Sequence, residues 1–353
     1  MAKKKKILFL FTGGTINSGY NENTKFVRPN KKTFKLLHKY IEKSFNDPNI
    51  ELLFREPLGI PGKDSSNIQP DNWIEISSII AEEITNGIDG ILILFGTDTM
   101  AYFSAWLSLC FPDINIPIII TGSQLTLDYK TEDITVNLTG AFQVVISDFP
   151  GIWIYCNWKL IPGSHAHKSR ASHPDMFVAS NDKVVDFEPK LPKNNQKDKS
   201  KYQKKYRLSK ELKVILKNKS SETKIYQKIR WLMCMPGLEP IIEDNYRIIC
   251  IYGFGAGNAP SNVLDYLETF YSAKEKPYII ACSQAERDVK KPEYYEGVGI
   301  ATLSKKGFKV WSQLDYPIEF IHALAVFSLL SSPDNPAPVL SKYLEGPFKN
   351  SGS

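Results

Sequence analysis

Short, unbroken runs of β-branched and other apolar residues punctuate this chain, and they limit its fold more than any other feature. They occupy residues 7–11, 91–95, 116–120, 152–156, 248–252 and 278–282. A strand with one wet face alternates apolar and polar side chains. A run without alternation needs cover on both faces, as in a parallel sheet flanked by helices. Between the runs lie segments of helical period. Residues 71–85 place Trp73, Ile76, Ile79, Ile80 and Ile84 near one face, residues 100–110 behave similarly, and residues 261–271 carry Val263, Leu264, Leu267 and Phe270. Strand and helix alternate, which predicts the α/β class: two wound parallel-sheet domains, a larger N-terminal and a smaller C-terminal one.

The charge pattern marks the boundary between them. The net charge of +6 is local: residues 190–228 hold 13 lysines and Arg207 against Asp198, Glu211 and Glu222. That stretch carries +11 and the remainder −5. A basic insert on a mildly acidic body predicts a solvated loop or exposed helix between domains, not a protein-wide nucleic-acid surface. The expected division is 1–189, a lysine-rich linker or insert over 190–238, and 239–353.

Several classes are excluded. No apolar run approaches the ~20 residues needed to cross a bilayer. The lysines before Ile7 resemble the start of a secretion signal, but Gly13 and Gly14 follow an apolar run of only five residues, so a buried strand is expected there. Five widely spaced cysteines without a CxxC pair suggest neither a disulfide framework nor a zinc site, and a reducing compartment is the simplest home.

In parallel sheets ligands bind beyond the carboxyl ends of strands, so chemistry is sought just after each run. There stand Thr12-Gly13-Gly14-Thr15-Ile16, Gly96-Thr97-Asp98-Thr99-Met100 and Thr121-Gly122-Ser123-Gln124. Paired glycines allow a sharp turn and a close approach to a ligand, which suits an exposed Thr15 nucleophile. A threonine hydroxyl requires a base beside it, a lysine or a histidine that Asp98 could orient. The first loop is equally consistent with a phosphate-cradling turn or a plain strand-to-helix connection, and Thr97-Asp98 with capping of the helix beginning at Met100.

Taken together, the loops resemble the bacterial-type L-asparaginase family, whose hallmarks are Thr-Gly-Gly-Thr-Ile near the N-terminus and a later Gly-Thr-Asp-Thr-Met. Asp64-Ser65-Ser66 looks like that family's substrate-clamping loop, and the segment from Tyr252 through Gly253, Gly255 and Gly257 to Pro260 like its second-domain entry motif. With Met235-Pro236-Gly237, the resemblance points to the cytoplasmic, type I branch. It implies Thr15 as first-step nucleophile and Thr97, Asp98 and Lys168 as a second hydroxyl–carboxylate–amine group. Ser65, Ser66 and Asp98 would hold the substrate's α-carboxylate and α-amino groups, and the Ser123 carbonyl would take the side-chain amide N–H. The implied reaction is double displacement on L-asparagine through a β-aspartyl ester, with backbone oxyanion donors around Thr15 and Thr97 and no cofactor. A homodimer or homotetramer is implied, with neither a membrane nor a nucleic-acid partner expected.

Two departures stand out. Phe95 occupies a position where the family often has His, and a packing change is expected. The mobile tyrosine after the first motif has no obvious equivalent: Tyr20 lies close to Thr15, while Phe26 stands nearer the usual spacing. Other signals carry less: His165 and His167 lack a fixed third metal ligand, the 253–258 glycines lack a full dinucleotide fingerprint, Trp153, Tyr155 and Trp158 read as core and interface, and Ser283, Gln284, Tyr294 and Tyr295 as an effector site or loop. Two alternatives remain: the amidase subunit of a tRNA-dependent amidotransferase, and a non-catalytic sensor of asparagine or aspartate.

Overall fold

All six apolar runs become strands, and in the larger unit their burial accounts for the sheet order. In the computed structural model, which describes residues 4–21, 23–126, 132–147, 149–182, 184–186, 208–218, 223–242, 244–285 and 297–344, the chain divides between Leu216 and Lys217 into two units. The larger unit carries β1 (Lys5–Phe11), β2 (Ser18–Asn21), β3 (Phe26–Pro29), β4 (Ile50–Arg55), β5 (Gly90–Leu94), β6 (Pro117–Thr121), β7 (Gly151–Cys156), β8 (Lys159–Pro162), β9 (Ala166–Lys168), β10 (Phe177–Ala179) and β11 (Val185–Asp186). Seven of them form one sheet in the order β11-β8-β7-β6-β5-β1-β4. Pairing is parallel from β4 to β7, and β8 and β11 are added antiparallel. Every residue of β5 and β6 is buried, as the lack of alternation requires.

Helices α1 (Lys31–Ser44), α2 (Pro70–Thr85), α3 (Met100–Cys110) and α4 (Glu132–Val145) connect these strands. On one face Phe9, Phe45 and Phe142 stack, with the Phe45 and Phe142 centroids 4.0 Å apart. Each such buried ring contributes roughly 1.5–3 kcal/mol. Phe95 is buried and stacks on Phe103 at 4.7 Å, a packing role. Trp158 lies outside the strand that holds Trp153 and Tyr155. With Asn157 it takes positive φ (63° and 46°) and makes the tight turn between β7 and β8.

The smaller unit has a four-stranded parallel sheet in the order β12 (Ile229–Met233), β13 (Ile248–Gly253), β14 (Tyr278–Ser283), β15 (Lys309–Ser312). The second sheet thus begins at Ile229, inside the stretch assigned from sequence to a linker over 190–238. β12 is an edge strand with exposed Arg230 and Met233, so it lacks the continuous apolar run that flags its neighbours. Of the basic stretch, α5 (Lys210–Lys217) is described: Leu212 and Ile215 are buried, Lys210 and Lys213 exposed, and the Ser209 N–H meets the Cys110 carbonyl at 3.2 Å. Residues 190–207, Tyr294 and Tyr295 lie outside the described residues. Among the described residues no helix is long and apolar enough to cross a membrane.

Candidate active site

The end of β1 meets two other loops largely through backbone. Gly13 and Gly14 have φ of 116° and 80°, a region that side chains disfavour. The Lys63 N–H donates to the Thr12 carbonyl, and the Gly14 N–H to the Lys63 carbonyl, both at 2.9 Å. A Cβ on Gly13 would stand 2.1 Å from the Lys63 oxygen, one on Gly14 2.4 Å from the Gly96 Cα, and one on Gly62 2.5 Å from the Thr12 oxygen. One on Gly96 would stand 2.5 Å from the Ser65 Oγ. Glycines therefore let the Thr15, Ser65 and Thr97 loops meet at contact distance. The Thr12 Oγ1 closes the crossing by donating to the Leu94 carbonyl at 2.8 Å.

Thr15 opens a short 3-10 turn, Thr15–Asn17, at the mouth of the sheet and is half-buried. Asp64 accepts from the Ser66 N–H at 2.9 Å, turning the clamp loop so that Ser65 is buried and Ser66 faces outward. Thr97 and Asp98 do not cap α3. The N-cap position is Thr99, which makes no side-chain cap and donates instead to the Ser65 carbonyl at 2.8 Å.

Thr97 and Asp98 turn toward Lys168. This lysine ends β9, which pairs antiparallel with β10 so that Lys168 stands opposite Phe177. The Ser104 Oγ of α3 donates to the Gly163 carbonyl at 3.0 Å, tethering the approach to β9. The Lys168 Nζ donates to the Thr97 Oγ1 at 2.9 Å and to the Asp98 Oδ1 at 2.6 Å. The Ser66 Oγ donates to the other Asp98 oxygen at 3.3 Å. The hydrogen bond from Lys168 holds the Asp98 carboxyl below the usual carboxylate range, helped by the lysine's charge and the Ser66 hydroxyl against partial burial. Exposure is uneven: the Lys168 side chain is 16% accessible and that of Asp98 62%. The amine is shielded while the carboxylate faces the opening.

Ser123 is buried after β6, its hydroxyl spent on the Leu125 carbonyl at 2.7 Å. The preceding Gly122 packs on the Phe95 carbonyl, where a Cβ would lie 2.3 Å away. Asn137 of α4 braces this turn by donating to the Gly122 carbonyl at 3.0 Å. Sequence reasoning missed Asn137 and Lys63 as structural parts of the site; only Pro61-Gly62 signals that a tight loop precedes the clamp.

Tyr20 and Phe26 sit on the β2–β3 ribbon, with Tyr20 opposite Val27 and Phe26 opposite Asn21. Adjacent strand residues alternate faces, so the two rings project from opposite sides. Tyr20 shares its side with Ser18, whose hydroxyl donates to the Gly14 carbonyl at 2.8 Å. Phe26 is 69% exposed on the other side. Among the described residues no three His, Cys, Asp or Glu side chains are grouped to hold a metal ion; His165 meets Ser164 at 2.9 Å and Asp182 at 3.4 Å.

The family model described as Asparaginase, N-terminal, matches residues 6–196. The D component of the glutamyl-tRNA(Gln) amidotransferase from Methanosphaera stadtmanae is 31% identical over 288 residues, covering 74% of this chain and 59% of that protein. The corresponding protein of Methanococcus vannielii is 28% identical over 293 residues, covering 76% and 61%. This chain spans about three fifths of the length of these curated relatives. Among solved structures, the thermostable L-asparaginase from Thermococcus kodakarensis has a TM-score of 0.70 at 22% identity, covering 98% of this chain and 100% of that one. L-asparaginase I from Vibrio cholerae has a TM-score of 0.69 at 24% identity, with 96% of each chain covered. At such identities the likeness is one of fold. The family match spans more than half of the sequence and contains every loop of the site, and the chain belongs to the asparaginase family.

Proposed function

We propose that this protein is an amidohydrolase that converts L-asparagine to L-aspartate and ammonia. The observation that carries the reading is the Lys168 amine, shielded and bonded at once to the Thr97 hydroxyl and the Asp98 carboxylate. A hydroxyl, an amine and a carboxylate in one chain of hydrogen bonds form a proton relay, and the half-buried Thr15 supplies a second hydroxyl at the strand end beside it.

In this mechanism the Thr15 oxygen attacks the side-chain amide carbon and its proton leaves with ammonia. The resulting β-aspartyl ester is cleaved by a water whose proton passes to Thr97 and Lys168, and Thr15 regains its proton as aspartate departs. Backbone N–H groups beside Thr15 and Thr97 stabilise the oxyanion, a contribution of about 3 kcal/mol per donor. Ser65, Ser66 and Asp98 hold the α-carboxylate and α-ammonium, and the Ser123 carbonyl receives the amide N–H. We assign the closing phenol to Tyr20, on the Ser18 side of the ribbon, and not to Phe26.

The test is ammonia release from L-asparagine and L-glutamine by the purified protein beside Thr15→Ala and Lys168→Met variants. Loss of release in both variants supports the reading. No release from the unaltered protein at any concentration, with L-aspartate still raising the melting temperature, would leave a binding module in its place.

A second reading is favoured by the curated relatives, which are named as amidotransferase components. In that reading the same amide cleavage feeds ammonia to a companion protein. Release that stays slow until such a companion and glutamyl-tRNA(Gln) are added would support it.

A further inference from the structure

We infer that Asn17 is a positioning residue that sets the reach between the Thr15 nucleophile and the Ser65–Ser66 clamp, and so selects a four-carbon over a five-carbon amino-acid amide. The inference rests on the amide-binding reading of the site given above.

Asn17 is 1% exposed and closes the turn that Thr15 opens. Its backbone joins two elements: its N–H donates to the Gly14 carbonyl at 3.1 Å, and its carbonyl accepts from the Asn30 N–H at 3.2 Å. Asn30 in turn caps α1 through the Thr33 N–H at 2.8 Å, so the base of the Tyr20 ribbon is anchored there. The side chain reaches a third element. Its Nδ2 donates to the Pro61 carbonyl at 2.5 Å, across 44 residues of sequence.

Pro61 begins the segment that leads into the clamp. Gly62 and Lys63 follow, with Lys63 bonded on both sides to the Thr12–Gly14 backbone, and then come Asp64, Ser65 and Ser66. The two backbone bonds at Lys63 fix how closely the loops lie. The Asn17 amide adds a side-chain rung between the nucleophile's own turn and this segment. Together with the Gly13–Lys63 bridge, it holds how far the clamp loop is advanced past Thr15.

That advance is the dimension to which chain length is sensitive. An α-amino acid gripped by its carboxylate presents its side-chain carbonyl at a distance set by the number of methylenes. One methylene in a fitted site is worth roughly 10–200-fold in discrimination. The other end of the Asn17 amide supports a role beyond packing: its Oδ1 is buried and has no hydrogen-bond partner among the described residues. Buried polar atoms without a partner are exceptions that concentrate at functional sites.

The experiment compares the unaltered protein with Asn17→Asp, which keeps the shape and removes the donor, and with Asn17→Ser, which shortens the reach. Two ratios are measured: kcat/KM for L-asparagine over L-glutamine by ammonia release, and the Kd ratio of L-aspartate and L-glutamate by calorimetry. Both variants are expected to lower each ratio at least tenfold, with KM for asparagine rising more than kcat falls. Ratios unchanged within twofold, whether or not the melting temperature drops, overturn the inference, as does failure of the unaltered protein to prefer aspartate over glutamate. If the unaltered protein binds aspartate selectively but releases no ammonia, the hydrolase reading fails and the binding ratio alone decides the role of Asn17.

Discussion

Both units set polar side chains just past the carboxyl ends of parallel strands, and they connect them differently. In the smaller unit the Ser283 N–H donates to the Gln313 Oε1 at 2.8 Å, the Gln284 Nε2 to the carbonyls of Cys234 at 2.6 Å and Tyr252 at 3.0 Å, and the Gln313 Nε2 to the Tyr316 carbonyl at 2.6 Å. These are neutral amides tying loops to one another. In the larger unit the hydroxyls of Thr97 and Ser66 lead to the Lys168–Asp98 pair, with the carboxylate open to solvent. A neutral network fixes a loop in place; a charged one that reaches the surface can also move a proton. On the same sheet architecture, the two units differ at their strand ends in whether the network includes a titratable pair.

The largest expected effect tests the charged side of that contrast. Lys168→Met should reduce ammonia release about 10⁴-fold, the upper range for loss of general acid–base action, while the melting temperature moves little. A variant that unfolds instead would show that the pair is structural, like the amides of the smaller unit.

Glycine substitutions sharpen the comparison. Gly13→Ala drives a Cβ to 2.1 Å from the Lys63 oxygen at φ 116°, and a cost of roughly 3–4 kcal/mol is expected in urea unfolding. Gly255→Ala in the smaller unit also requires positive φ, but nothing lies within 4 Å, so about 1 kcal/mol is expected. Equal losses would mean that close loop packing is not peculiar to the larger unit.

Acid should weaken the smaller unit through His322. Burial pushes this imidazole down from 6.5 to about 4, and its Nδ1 accepts from the Trp231 indole at 3.1 Å. The unfolded chain binds a proton below pH 6.5 that the folded chain refuses until about pH 4. Stability is therefore fully present above that window and falls as pH drops through it, by roughly 2 kcal/mol between pH 6.5 and 4.5. Denaturation midpoints of His322→Asn, which keeps an acceptor for the indole, should lack this slope.

The smallest effect belongs to the amide network itself. Gln313→Ala should cost about 1–2 kcal/mol and leave ammonia release per folded molecule unchanged. A fall in rate without a fall in stability would give the smaller unit a direct part in the reaction.

What could be read from the sequence follows from which faces are buried. The β5 and β6 strands are covered on both sides, so their runs 91–95 and 116–120 announce them, and α3 matches its expected span from Met100 to Cys110. The β12 strand, at a sheet edge with Arg230 outward, merges into the lysine-rich stretch and escapes notice. Within the site, the two glycine–threonine loops are visible because tight turns need particular residues. Thr97 and Asp98 also read as helix caps, and only the long-range arrival of β9 shows that they face Lys168. Lys168 itself carries no local signal. Its place depends on a pairing made by distant sheet and helix packing, and resemblance alone points to it in the sequence.

Lys168 owes its direction to a three-residue strand returned by β10, and the alternation of a strand leaves two orientations to choose between. A pairing slip of one residue would turn His167 where Lys168 now points. The return between Lys168 and Phe177 is itself pinned by the Lys159–Asp175 ion pair and the Ser169 N–H to Met176 carbonyl bond. A slip that exchanged the faces of β9 would break the Lys168 contacts to Thr97 and Asp98 while leaving all three residues in the sequence.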